Sequence, residues 1–316
     1  MILLITALVA CIGFLKLKEN INGLLRNSDD LSWPFSQTSE TVMSKMIHRI
    51  RLVNISMAAY LSFAIVGNIF LHSLDIRKAS VAVSFLIEVY PPLKVPAIVG
   101  YFLLDQFIGL VMAAVMEIFN AMVHLHIIQI YLLNNYIKQS IVFSGDWTYN
   151  WTELLYNESY QNEVYKEIIF IYRRKITLQT FINDLWSKMY IRFIAGIAIL
   201  IGYLYTIVLI FMLNHFTKVS IIAMLCFSIG YPYGMYHHYN SGQKMQDEYS
   251  KVYQKFLEMP WYAWNKKNKK AYLIILTNTQ IVTKLPISFN DNFNRLYLIK
   301  VSQRLYAFFN FLYKTT

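Results

Sequence analysis

The sequence predicts an all-α membrane protein, a polytopic helical bundle with six visible spans. Three observations carry that reading. First, 56% of the 316 residues are apolar and only 15% are charged, against about 25% charged in an ordinary soluble domain. A soluble core does not need that much apolar surface, whereas a bundle in lipid must be apolar on its outside as well. Second, the apolar residues gather in runs close to the length a bilayer requires. Third, Lys and Arg fall between those runs, and they fall unevenly.

The spans are expected at 1–15, 55–74, 99–122, 193–213, 219–236 and 293–313. The first is short, since a span takes about 20 residues. It is no signal peptide, because Lys16 and Lys18 follow the apolar run instead of preceding it. The third contains Asp105 and Glu117, and the fourth has no charge. The fifth ends in Gly230-Tyr231-Pro232, where a kink is expected because proline lacks the N–H that continues the helix ladder. The sixth is the most polar, with Asn294, Arg295, Lys300, Gln303, Arg304 and Asn310.

Charge sets the expected topology. The stretches 16–54, 123–192 and 237–291 hold 21 Lys/Arg, and the alternate loops and end hold five. Cytoplasmic loops carry the excess, so both ends of this chain are expected outside. A short half-span at an outside N-terminus suggests one more span upstream. Seven spans with the N-terminus inside would result, the inverse of a G-protein-coupled receptor. The cytoplasmic stretches read as helical over 165–188, 240–259 and 262–280, by the spacing of their apolar residues. With no internal repeat and no low-complexity linker, the chain is one domain, 1–316.

Net charge is +11. The loop placement of the basic residues makes that a topological signal and gives no nucleic-acid partner. Cys11 and Cys226 sit within apolar runs and read as buried thiols. No Gly-rich phosphate loop, paired-Cys zinc spacing or nucleophile elbow occurs, so neither an enzyme nor a cofactor is expected. The histidines lack the three- or four-residue helical spacing of metal ligands, His124 and His126 being two apart and His237 and His238 adjacent. The intramembrane acid Glu117 is a functional candidate. Two sequons, at Asn150 and Asn157, fall in a loop expected in the cytoplasm and should carry no glycan.

The end of the chain is the most specific signal. Trp261-Tyr262 is followed by Asn268-Lys269-Lys270, then Leu273-Ile274-Ile275-Leu276, then Gln280, then a span ending Leu305-Tyr306-Ala307-Phe308-Phe309. This order resembles the C-terminal signature of insect odorant receptors. The stretch 240–253 before Trp261 resembles the family's segment after its sixth span, and 173–188 resembles the helix before its fifth. The resemblance runs over residues 1–316 from the family's second span onward, so the first span and the cytoplasmic N-terminus are missing. Pro286-Ile287-Ser288-Phe289-Asn290 stands where the family has a small residue and Gly. The sister gustatory receptors carry a Thr-Tyr and a later Gln-Phe; Leu305-Tyr306 lacks the Thr and no Gln-Phe follows.

The resemblance implies an odorant-binding tuning subunit of a ligand-gated, non-selective cation channel. Its partners would be a co-receptor subunit in a heterotetramer, a small volatile ligand and membrane lipid. Its place would be the plasma membrane of an olfactory dendrite. It implies a pocket in the outer half of the membrane, with candidates Ile65, Asn68, Ile69, His72, Tyr101, Phe102, Asp105, Ile108, Met112, Met224 and Phe227. Apolar, aromatic and methionine-rich linings suit such ligands. It implies a pore lined by the last span, with Gln303, Tyr306, Phe309 and Leu312 as pore and gate residues; an apolar ring gates by dewetting. Arg304 sits awkwardly beside a cation path. It implies a cytoplasmic helical anchor over about 237–290, using Trp261, Tyr262, Lys270, Leu273, Leu276 and Gln280. A gustatory-type receptor channel and a membrane transporter remain as alternatives. The transporter is the weaker, since corresponding broken spans are not seen.

Overall fold

A computed structural model describes residues 40–72, 88–140, 151–188, 218–287 and 290–315. Within these, side chains of 57, 60–61, 63–72, 93–94, 97, 101–116, 151, 188, 218–228, 231 and 315 lie outside what is described. Among the described residues the regular structure is all helical, apart from one isolated bridge between Pro286 and Asn292. The helices are α1 (Glu40–His72), α2 (Lys94–Gln139), α3 (Trp151–Tyr156), α4 (Glu158–Lys188), α5 (Lys218–Leu257), α6 (Lys266–Gln280) and α7 (Arg295–Thr315). The spans expected at 1–15 and 193–213 lie outside the described residues. Among the described residues no helix is long and apolar enough to cross a membrane.

α2 is the central helix. From Phe119 to Ile137 it is buried on most of its circumference. α1, α2 and α5 all pack on one another, α4 lies against α2 and α6, and α7 lies against α5. The heptad-like row Gln161, Val164, Ile168, Ile171, Lys175, Leu178, Ile182 and Leu185 is the buried face of α4. A seam at alternating spacings of three and four is what a helix in a bundle presents. Its polar members are satisfied at the level of α6. Lys175 Nζ donates to the Asn278 carbonyl at 3.0 Å, near the C-terminal end of α6, where a cation is favoured.

The polar stretch 240–259 forms no separate helix. It continues α5 without a break from the expected fifth span, through Pro232. The change to polar residues after Tyr236 reads as an end in sequence. In the fold Asn240, Ser241, Gln246 and Glu248 are buried instead. Asn134 Nδ2 of α2 donates to the Glu248 carbonyl at 3.0 Å. The helix expected over 262–280 starts at Lys266, because Trp261–Ala263 forms a 3-10 turn and Asn265 caps α6. The Asn265 side chain accepts the Asn268 N–H at 2.9 Å, the usual service of an N-cap asparagine.

The start of α7 is held by aromatic packing. The Phe293 ring lies 4.4 Å from Tyr239 of α5, 5.9 Å from Phe119 of α2 and 5.9 Å from Trp186 of α4, centroid to centroid. One side chain thus joins four helices. Before it, Phe293 N–H donates to Leu285 O at 2.7 Å and Ile287 N–H donates to Asp291 O at 2.8 Å.

Candidate functional site

The two C-terminal helices share a design: each buries one face in the bundle and turns an apolar face outward. On α6, Asn268, Tyr272, Ile275 and Thr279 are buried. Tyr272 meets the buried Trp264 edge-on at 5.4 Å and donates its hydroxyl to the Phe256 carbonyl at 2.8 Å. Gln161 is the hub of the junction. Its Nε2 donates to the carbonyls of Leu154 (2.9 Å) and Ala263 (3.0 Å), and its Oε1 accepts from Asn265 N–H (2.9 Å) and Asn268 Nδ2 (2.8 Å). A fully bonded buried amide fixes this geometry, because any misfit would leave polar groups unpaired.

The sequence-derived anchor residues sit mostly on the outward side of that junction. Trp261, Tyr262, Lys270, Leu273 and Gln280 are exposed and Leu276 is half-buried. Leu273 exposes 59% of its surface and Ile274 is similar. Gln280 also donates to the Tyr253 hydroxyl at 3.3 Å. Leu273 and Ile274 thus give α6 an exposed apolar face, and Trp261 in the turn before it is exposed as well.

α7 buries Tyr297 and Val301 and half-buries Leu305 and Phe308. Its outward row is Leu296, Ile299, Gln303, Tyr306, Asn310 and Tyr313, spaced three and four apart. All but Asn310 are exposed, Tyr306 at 69%. Of the pore candidates, Gln303 and Tyr306 lie in this row. Phe309 is half-buried at its edge, stacked on Tyr313 at 6.2 Å, and Leu312 is half-buried further round. Leu296, Ile299 and Tyr313 were legible from the same spacing but escape a search for polar residues.

The ligand candidates fall on three helices that pack together: Ile65, Asn68, Ile69 and His72 on α1; Tyr101, Phe102, Asp105, Ile108 and Met112 on α2; Met224 and Phe227 on α5. Their side chains lie outside the described ones. Glu117 is buried one turn from Asn120 on α2.

A second feature has no counterpart in the sequence reading. A cavity of about 830 Å³ opens between α1, α2 and α5, lined among others by Arg49, Ser56, His124, Tyr233, His237, Lys244 and Asp247. Ser56 Oγ lies 2.6 Å from the Tyr233 hydroxyl and 3.1 Å from His237 Nδ1. The His124 and His237 rings stack at 5.7 Å. Burial lowers the His124 pKa to about 3, helped by His237 and Lys244, and burial lowers that of His237, helped by Lys244. Both imidazoles are therefore neutral near pH 7. Burial, then Arg49 and Arg295, lower the pKa of Lys244. Among the described residues no group of three or more His, Cys, Asp or Glu is arranged to hold a metal.

No protein-family model matches the sequence, and no curated protein matches it. Solved structures do match. The insect olfactory receptor OR5 from Machilis hrabei superposes with a TM-score of 0.66 at 10% identity, covering 99% of this chain and 79% of that one. The same receptor in complex with eugenol superposes at 0.64, again at 10% identity and the same coverage. Such identity speaks to architecture alone, and over nearly its whole length this chain has the fold of an insect olfactory receptor.

Proposed function

We propose that this chain is the odorant-binding tuning subunit of a ligand-gated, non-selective cation channel, assembled with a co-receptor subunit in the plasma membrane of olfactory neurons. The observation that carries the reading is the fold likeness to an olfactory receptor over 99% of the chain. That one of the matching structures holds eugenol supports a small volatile ligand. The 21-to-five division of Lys and Arg supports a membrane topology with 237–290 in the cytoplasm. Mutual packing of α1, α2 and α5 supports one pocket built from the candidates on all three. The outward row of α7 suits a helix that meets water or other subunits at a pore. The outward apolar face of α6 suits an anchor between subunits.

The test is whole-cell current during a panel of volatile odorants, in cells expressing the chain with and without the insect odorant co-receptor. A non-selective cation current that needs odorant and both subunits is expected. A chain that reaches the surface with the co-receptor and yields no odorant-evoked current would sink the reading. Substrate uptake without gated current would mark a transporter.

A further inference from the structure

The outward face of α6 changes character halfway along. Its C-terminal half presents Leu273 and Ile274. Its first residues present Lys266, Lys267, Lys269 and Lys270, all exposed except the half-buried Lys269. Lys267 is turned aside, its Nζ lying 4.1 Å from the centroid of the Tyr165 ring of α4. Lys266, Lys269 and Lys270 stand three and four residues apart along the helix, so they share one side of it. Among the described residues none of these three forms an ion pair. The arrangement is unfavourable taken alone. The start of a helix is the positive end of its dipole, which disfavours cations, and like charges at these spacings repel. What holds α6 in place is on its other side, in the Asn265 cap and the buried Asn268, Tyr272, Ile275 and Thr279. Lys266 and Lys270 take no part in that packing. They leave a concentration of positive charge that an anionic partner would neutralise.

Position decides which partner. In the membrane topology proposed above, the bilayer ends near Tyr236. From there to Leu257, at 1.5 Å per residue, α5 runs about 30 Å further. The Tyr272 hydroxyl donates to the Phe256 carbonyl at 2.8 Å, and Gln280 donates to the Tyr253 hydroxyl at 3.3 Å. α6 therefore runs back along α5 toward the membrane, and its lysine end is the far one. At physiological salt, charge is screened over about 8 Å, so the lipid leaflet is out of reach. A second copy of this chain matches poorly, because it carries 29 Lys and Arg against 18 Asp and Glu and two such surfaces repel.

We propose that Lys266, Lys269 and Lys270 dock an acidic polypeptide segment of a cytosolic protein. Lysine stems one helical turn apart are about 5–6 Å from each other at Cβ. Carboxylates on alternate residues of an extended chain repeat at about 6.5 Å, so such a segment laid along α6 can face all three lysines. The cytosolic source of the partner rests on the topology proposed above; the charge and exposure of the face do not.

The experiment is fluorescence anisotropy of a labelled oligoglutamate peptide, titrated with the full chain in nanodiscs of neutral lipid. Saturable binding is expected, and it should vanish in about 1 M salt, where screening shortens to about 3 Å. K266Q/K270Q should weaken it about fivefold, as the loss of two exposed ion pairs predicts. K45Q/R51Q removes the same charge from exposed positions of α1 and should leave affinity within about twofold, since those positions lie beyond the screening length. Misfolding cannot imitate the loss, because K266Q/K270Q relieves the helix start and should raise the thermal midpoint of the chain without peptide. Absence of saturable binding, or equal weakening in the two double variants, would overturn the proposal. Loss of binding when anionic lipid is added to the nanodiscs would also overturn it, by naming the membrane as occupant. A smaller assembly in K266Q/K270Q would do so by naming another subunit. Binding is read without odorant or current, so a silent channel that still binds the peptide would sink only the receptor reading.

Discussion

Gly242 of α5 faces the backbone carbonyl of Phe293 so closely that a Cβ there would overlap the oxygen and crowd the Phe293 ring. The contact sits where α7 leaves the four-helix aromatic cluster. Backbone cannot swing aside as a side chain can. Gly242→Ala should therefore push the start of α7 outward and cost about 1–3 kcal/mol, the usual range for overpacking. Thermal unfolding of the detergent-purified chain checks this; an unchanged midpoint would show that the two helices can part freely.

Gln161 uses both ends of its amide to tie α3, α4 and the turn before α6 together. Gln161→Leu keeps the bulk and removes every side-chain bond, leaving Asn268 Nδ2 its bond to the Gln161 carbonyl. It should cost roughly 2–4 kcal/mol, since several buried partners lose their match at once. Limited proteolysis should then cut the segment near Trp261–Ala263 faster than in the wild type.

Acid should destabilise the chain through its buried histidines. His126, bonded to Tyr249 at 2.9 Å, and His238 both have pKa values lowered by burial to about 3 from 6.5. The unfolded chain binds protons between these limits and the folded chain does not. Stability is thus fully present above about pH 6.5 and falls as pH drops toward 3. From pH 6.5 to 5 the loss is at most about 2 kcal/mol per histidine. His126→Gln should flatten the dependence of the unfolding midpoint on pH over that window. An identical slope would assign the acid sensitivity elsewhere.

On the outward face of α6, Leu273→Glu should leave the fold of one subunit within about 0.5 kcal/mol, as exposed positions do. If the chain assembles through this face as proposed, it should nevertheless reduce the assembled population on size exclusion, because a carboxylate would enter an apolar contact. Assembly at wild-type level would exclude this face from the subunit interface.

Asn157 caps α4, its Oδ1 accepting the Tyr160 N–H at 3.0 Å. In the proposed topology it carries no glycan, and glycosidase treatment of the expressed chain should leave its electrophoretic mobility unchanged. A shift removed by Asn157→Gln would put this loop on the other side of the membrane. Asn157→Ala should cost about 1 kcal/mol through the lost cap.

The sequence made α4 legible because its apolar residues repeat at helical spacing, though the true start at Glu158 lay hidden behind its asparagine cap. It made α6 legible in part. Asn268 and Thr279 belong to the buried face, and no hydrophobic pattern includes them. The continuity of α5 was missed for the same reason, since its buried C-terminal half is polar and some of its partners come from α2. The cavity was out of reach. Arg49, His124 and Lys244 are far apart along the chain, and nothing local announces that they meet. The outward row of α7 was visible as spacing, but only the burial of Tyr297 and Val301 decides which side faces out.

α5 spans 40 residues from Lys218 to Leu257 without interruption, which makes it about 60 Å long at 1.5 Å per residue. The hydrocarbon layer is only about 30 Å thick. In the membrane topology proposed above, half of this helix would stand beyond the bilayer as a lever arm. A tilt of roughly 5° would carry the far end about 5 Å, by the length alone. Gly242 and the aromatic cluster ride on the long limb of that arm, so a small displacement near Met224 would be returned, magnified, at the foot of α7.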